Sequence, residues 1–353
     1  MRKEIKTFQG DAPGQEWQLN VLNFYGSDPQ APAAYLQAAL HGGEFPGVAA
    51  LHFLVPMLQQ AEDEGLLLGN VTIVPMANPI GMSQFLNHQH LGRFDLATRV
   101  NFNRSHTLLP DFDTSGLPSL DAPISADKRL KAELMRMALK HEIILDLHCD
   151  DESENYVYLH ESFWPAMADL TEALGSTTVL LWNDPRDAAF DEACAHPLIA
   201  DGKNRFDMTR RAVATVEFRG MADVSGDLGK TDAAGLIRFL MHRGVIKGES
   251  GLKGAVLGKN ITPLSNIEMI KAPAGGMVFY HVAPGDDVTE GQRLATLVFE
   301  PGAADGSVDL YAPQAGHILT RRSARFLTRG DDVLKLLGNR PSLAAKRLGA
   351  LEA

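Results

Sequence analysis

The chain has 353 residues, 45% of them hydrophobic and 22% charged, with a formal net charge of −11 at pH 7. That length accommodates a large domain with a full core plus a smaller second one. The acidic balance, without any Lys/Arg block, argues against nucleic acid as the main partner. Two cysteines are too few for a disulfide framework. The opening residues, Met1 to Lys6, lack the apolar stretch of a signal peptide, and no window approaches the roughly 20 apolar residues of a membrane span. A water-soluble protein of a reducing, cytoplasmic compartment is the expectation, and homo-oligomerisation is left open.

From about residue 15 to 220 apolar runs alternate with helical patterns. Ala34–Leu40 reads as a strand running into a loop at His41. Val48–Gln60 is an amphipathic helix with a kink expected at Pro56. Asn70–Met76 is a short strand that stops at Asn78-Pro79. Ala126–Lys140 is a charged amphipathic helix with Ser125 as N-cap, and it leads at once into the strand Glu142–Leu147. Thr177–Trp182 and Ala212–Phe218 are further strands. Strands interleaved with helices predict an α/β domain with a largely parallel or mixed sheet. In such sheets ligands sit beyond the carboxyl ends of strands, and His41, Asn78, His148 and Glu217 all fall at or just after such ends.

After about residue 250, Gly, Pro and short β runs replace helices, and the sequence echoes itself. Ala272-Pro273-Ala274-Gly275-Gly276 returns as Ala312-Pro313-Gln314-Ala315-Gly316, and Gly285-Asp286-Asp287-Val288 as Gly330-Asp331-Asp332-Val333. The expectation is two domains, 1–255 catalytic and 256–353 a small all-β domain of two similar halves. Pro284 to Leu294 resembles the repeat of biotinyl/lipoyl-type barrel-sandwich domains. The hairpin region from about Glu300 to Leu310, where such domains carry a modifiable lysine, has none. The domain is therefore read as an unmodified structural or substrate-gating appendage.

The chemistry concentrates in Ala39-Leu40-His41-Gly42-Gly43-Glu44 and Asp146-Leu147-His148. Two histidines and a carboxylate form the ligand set of an open catalytic zinc site. The two glycines give the loop unusual backbone angles and close approach to an ion. Plainer readings are a hydrogen-bonded core histidine for His148 and a loop-facing carboxylate or helix cap for Glu44. Asp146, on the same strand face as His148, either orients the imidazole or makes a structural hydrogen bond. Glu217 is a proton-transfer group or a surface carboxylate paired with Arg219. Cys149 reads as a small buried filler.

In order along the chain, His41-Gly42-Gly43-Glu44, Asn78-Pro79, Asn101-Phe102-Asn103-Arg104, Asp146-Leu147-His148 and Val216-Glu217-Phe218 resemble the succinylglutamate desuccinylase/aspartoacylase family, related to zinc carboxypeptidases. The resemblance covers nearly the whole chain. It implies a carboxypeptidase-like α/β/α domain with a mixed sheet and a C-terminal β domain. It also implies one Zn²⁺ per chain held by His41, Glu44 and His148, with Glu217 as the catalytic carboxylate. Asn103 and Arg104 match the pair that grips a substrate carboxylate. A second arginine that polarises the scissile carbonyl is assigned to Arg93, with Arg99 as the alternative. The implied activity is deacylation of a small N-acyl amino acid, the alternative being a zinc carboxypeptidase acting on short peptides. The chain departs from aspartoacylase, which has Asp-Leu-Asn-Arg where Asn101 to Arg104 stand. It also crowds Asp150, Asp151 and Glu152 next to His148. Those acids favour a cationic substrate group or are solvated loop charges, the plainer reading.

Overall fold

The computed structural model of the chain describes residues 1–185, 187–200, 207, 210–254 and 258–342. Nine strands form one mixed sheet. In spatial order they are Arg2–Gln9, Glu16–Phe24, Val71–Val74, Ala34–Ala38, Ile143–Asp150, Ala212–Gly220, Tyr156–His160, Thr178–Trp182 and Asn260–Pro263. The central strands Ala34–Ala38, Ile143–Asp150 and Ala212–Gly220 run parallel to one another. Every residue from Ile143 to Cys149 is buried. Such continuous burial, Asp146 and His148 included, marks a strand covered on both faces. Helices Pro46–Asp63, Ala168–Leu174 and Gly226–His242 pack together, and Ala126–Ala138 packs with Phe190–Ile199. This is the expected layered α/β/α arrangement.

Each predicted strand and helix is present with ends shifted by a few residues. The first helix runs unbroken from Pro46 to Asp63 across Pro56. Ser125 occupies the N-cap position of Ala126–Ala138, but its side chain makes no capping bond. The Ala126 amide instead donates to Asp11 Oδ1 at 2.8 Å, a carboxylate delivered from over a hundred residues upstream. The expected domain boundary, between 255 and 256, lies outside the described residues, as do 343–353 at the end of the second domain. Asn260–Pro263 still pairs in parallel with Thr178–Leu181, so the large sheet takes a strand from beyond that point.

The C-terminal part is all antiparallel. One sheet holds Ile267–Lys271, Asp332–Gly338, Gly316–Arg321 and Asp287–Val288. The other holds Ser307–Tyr311, Arg293–Val298, Gly276–Tyr280 and Phe326–Leu327. The sequence echo has a physical basis. Gly285 and Gly330 take φ of 96° and 92°, the left-handed region that glycine adopts without steric cost. In each turn the following Asp accepts a backbone N–H three residues back: Asp286 from Ala283 at 2.8 Å, and Asp331 from Thr328 at 2.7 Å. Val288 and Val333 then enter the core. Two copies of one turn thus start equivalent strands in the two halves.

The β unit docks on the segment that follows His148. Glu152–Ser153 adds to the C-terminal sheet as an antiparallel neighbour of Thr320–Arg321. Asp150 pairs with Lys335, Asp151 with Arg322, and Glu152 with both Arg321 and Arg325. His317 lies between Glu154 and Asp287. The hydrogen bonds that His317 donates to Glu154 and then to Asp287 hold its pKa above the ordinary 6.5, against burial. A raised folded pKa gives stability that is complete below the unfolded pKa and lost as pH climbs through the folded value. Thermal melts of the wild type and His317→Gln across pH are therefore expected to differ most below about pH 6.5 and to converge at alkaline pH.

Candidate metal centre and cleft

Strand register explains how residues a hundred positions apart meet. Ala34–Ala38 and Ile143–Asp150 are parallel neighbours, with Ala38 level with Leu147. The loop leaving the first strand therefore starts beside His148. His41, Glu44 and His148 are all buried, and one ligand atom from each lies within 4.8 Å of the others. The loop is held by backbone packing. Gly42 N donates to Gly92 O at 2.8 Å. A Cβ on Gly42 would lie 2.6 Å from the backbone of Gly81 and Met82, and one on Gly92 would lie 2.7 Å from Gly42. Gly42 thus serves close approach of backbone to backbone, and neither Gly42 nor Gly43 takes the expected left-handed angle; Ala39 does, at φ 56°. Asn78 belongs to this scaffold. Its Nδ2 donates to Leu40 O, and its Oδ1 accepts from Gly81 N, each at 2.8 Å.

The hydrogen bonds fix which imidazole nitrogens face inward. Asn101 Oδ1 accepts from Asn103 N at 2.8 Å, which orients the amide, and it therefore also accepts from His41 Nε2 at 2.8 Å. His148 Nε2 donates to Asp146 Oδ2 at 2.8 Å. Behind it, Gln37 donates to Asp146 Oδ1, and Tyr35 to Gln37. Asp146 thus orients the imidazole. The two Nδ1 atoms face Glu44: His41 at 2.9 Å from Oε1 and His148 at 2.7 Å from Oε2. Burial and Arg93 push His41 down to about 4. Burial opposes charge on His148, but Asp146 and Glu44 raise its pKa well above the usual histidine value. Glu44, though buried, is held well below the carboxylate range by the two histidines. The two Nδ1 atoms and Glu44 thus converge on one point with the Nε2 donors committed outward, and once the proton between His148 and Glu44 is displaced this donor set fits a divalent cation.

Glu217 is the register partner of His148 on the adjacent parallel strand, and Thr215 that of Asp146. Register partners in parallel strands point to the same face, so all four side chains share the side of the sheet that carries the cleft. A bulge follows Glu217 and ends the regular pairing before Gly220. Arg219 pairs with Asp232, leaving Glu217 without it. Glu217 Oε2 is buried with no hydrogen-bond partner. Burial, reinforced by Glu44 and Asp150 and opposed by His148 and Lys335, pushes its pKa up to about 8.

His41, Glu44, His148, Thr215 and Glu217 line a cavity that also takes in Asn103 and Arg104. Arg93 Nη1 lies 3.2 Å from Glu44 Oε1, whereas Arg99 is exposed on the rim of an adjoining apolar hollow. Of the two alternatives, Arg93 is therefore the one at the ligand set. Arg104 donates to Asn103 O at 2.7 Å and lies 3.8 Å from Asp187. Burial, with Asp191 nearby, raises Glu192 to about 8 at the same end of the cavity. Asp150, Asp151 and Glu152 are neither solvated charges nor free for a substrate cation, because all three are engaged by the C-terminal β unit. Cys149 is a buried thiol whose pKa burial raises far above the reactive range. Sequence reasoning assigned no role to Asn101, although it stands in the quoted Asn-Phe-Asn-Arg run. It also missed Lys335 and Tyr158, which reach the cavity from strands whose sequence gives no sign of a site.

A mixed α/β sheet with two histidines and a carboxylate gathered at its strand ends defines an α/β protein with a group able to hold a metal ion. Residues 30–243 match the succinylglutamate desuccinylase/aspartoacylase catalytic domain, and the chain belongs to that family of hydrolases. It is similar over its whole length to solved family members. One from Shewanella amazonensis SB2B is 26% identical, covering 96% of this chain and 98% of that one with a TM-score of 0.80. One from Shewanella frigidimarina NCIMB 400 is 24% identical, covering 96% and 99%, with a TM-score of 0.80. A more distant one from Rhodobacter sphaeroides, 16% identical over 97% and 96%, shares the fold with a TM-score of 0.72. No curated protein matches the chain. Among the described residues no helix is long and apolar enough to cross a membrane.

The packing around Gly42 separates two neighbouring glycines. Gly42→Ala drives a methyl into backbone and is expected to cost roughly 1–3 kcal/mol. At Gly43 the nearest atom to a new Cβ is 3.4 Å away, on the His90 side chain, so Gly43→Ala is expected to be nearly neutral. Denaturant unfolding of the two variants checks this.

Proposed function

We propose that the protein is a zinc-dependent deacylase that hydrolyses the amide bond of a small N-acyl amino acid. The observation that carries this reading is the inward convergence of His41 Nδ1, Glu44 and His148 Nδ1 beside Glu217, whose Oε2 is buried with no hydrogen-bond partner. Zinc suits this set of two imidazoles and a carboxylate. One ion per chain held by these three residues would supply Lewis acidity and an acidified water.

The chain's own residues do the rest. Glu217 accepts the proton of the attacking water and returns it to the departing amine. Burial suits it to both steps, because a carboxyl with a pKa near neutrality can hold and release a proton. Arg93 donates to the oxygen of the scissile carbonyl as negative charge develops there. Asn103 and the planar Arg104 guanidinium hold the substrate carboxylate. Asn101 and Asp146 keep the two imidazoles turned inward. In this reading residues 1–255 form the catalytic domain and 256–353 the β domain. Leu264 and Lys335, from beyond residue 255, line the cavity, which favours a small substrate over a long peptide. The two buried free cysteines accord with a reducing, cytoplasmic setting.

A hydrolysis screen of N-acyl amino acids against dipeptides and longer peptides, run with metal analysis, tests the reading. Acyl amino acids are expected to be cleaved; turnover confined to peptides would overturn it. Chelation should abolish activity and zinc should restore it. Glu217→Gln is expected to lose about 10²–10⁴-fold in kcat while retaining zinc; full activity in that variant would refute the role of Glu217. Asp146→Asn is expected to weaken zinc affinity about 10–100-fold in chelator competition, because it loosens the hold on His148.

A further inference from the structure

Lys335 belongs to the strand Asp332–Gly338 of the C-terminal β unit, yet it is buried and lines the same cavity as His148 and Glu217. Its ammonium donates to Asp150 Oδ2 at 2.6 Å, and the Tyr156 hydroxyl donates to the same oxygen at 2.6 Å. The other oxygen, Asp150 Oδ1, accepts from Asp151 N at 2.8 Å. Asp150 lies two residues beyond His148 on one strand and is level with Gly220, just past the bulge that follows Glu217. Tyr156 is the antiparallel partner of Glu217 itself. One carboxylate, Asp150, thus joins the ammonium of the β unit to Tyr156, whose backbone is in register with Glu217.

Docking alone does not account for this cation. Arg321, Arg322, Arg325 and His317 hold the β unit to the same segment from outside the cavity. A buried ion pair also adds little net stability over apolar groups of the same size. We propose that Lys335 is a positioning residue of the catalytic centre. By holding Asp150 and Tyr156 it sets the spacing between His148 and Glu217, so the β unit completes the reactive geometry as well as covering it. This rests on the roles proposed above for His148 and Glu217.

The test uses the full chain loaded with zinc for kinetics and with cobalt for visible absorption, which reports the ligand geometry. Lys335→Gln keeps a donor of similar reach without the charge. It is expected to lower kcat at least ~10-fold with KM within about 3-fold, the pattern of a misplaced reacting group, and to change the cobalt spectrum. Lys335→Arg, which restores the charge, should recover part of both. Arg325→Ala, which loses a docking pair outside the cavity, should lower the melting temperature and leave kcat and the spectrum unchanged. If Lys335→Gln does not fold, Asp150→Asn carries the same expectations. Wild-type kcat and spectrum in the folded variant would overturn the proposal. So would an equal loss of kcat in Arg325→Ala, which would make docking the cause. A wild-type protein that neither binds cobalt nor cleaves acyl amino acids would overturn the proposed function and this inference together.

Discussion

The architecture of the cleft turns on a concentration of electron pairs. Two imidazole nitrogens and both oxygens of Glu44 face one another within hydrogen-bonding distance. The opposite ring nitrogens are already committed to Asn101 and Asp146. Groups that only accept repel one another when desolvated, unless a proton or a metal ion lies among them. The surroundings reflect that demand: Arg93 approaches Glu44, and Cys149 N–H donates to it at 3.3 Å. The relay from Tyr35 through Gln37 to Asp146 then runs through the core, so the ring of His148 is oriented from inside the sheet.

Much of this was legible in sequence because it depends on short-range pattern. The apolar runs before His41 and His148 mark strands, and ligands gather at strand ends for topological reasons. What pattern does not encode is lateral register. Nothing in Val216-Glu217-Phe218 says that Glu217 stands beside His148; that follows from pairing between strands some seventy residues apart. The helix after Ser125 makes the same point on a smaller scale. Local propensity put a serine at the cap, and a distant aspartate took over the bonding. The reading of Asp150, Asp151 and Glu152 as solvated charges failed for a related reason. A run of acids looks solvated until a second unit brings matching cations, and those lie beyond residue 316. The echo of Gly-Asp-Asp-Val was visible because it is a local turn with its own chemistry, needing a left-handed glycine and an aspartate that closes on the backbone.

The two parts of the molecule are joined by main chain as well as by charge. Glu152–Ser153 belongs to the C-terminal sheet through its pairing with Thr320–Arg321, while the residues just before it complete the central strand of the large sheet. A displacement of the β unit would therefore pull on the same strand that presents His148. This differs from an appended lid on a flexible linker, where the cover can move without disturbing what it covers.

That shared strand also bears on biosynthesis. Ser153 finds its strand partner far later in the chain, at Thr320. A nascent polypeptide whose first two hundred and fifty residues have left the ribosome already holds both histidines and both glutamates, but the cleft wall formed by Lys335 has yet to be made. Completion of the pocket thus waits on residues some eighty-five positions further along the chain, by which time the segments that carry the histidines and glutamates can already collapse.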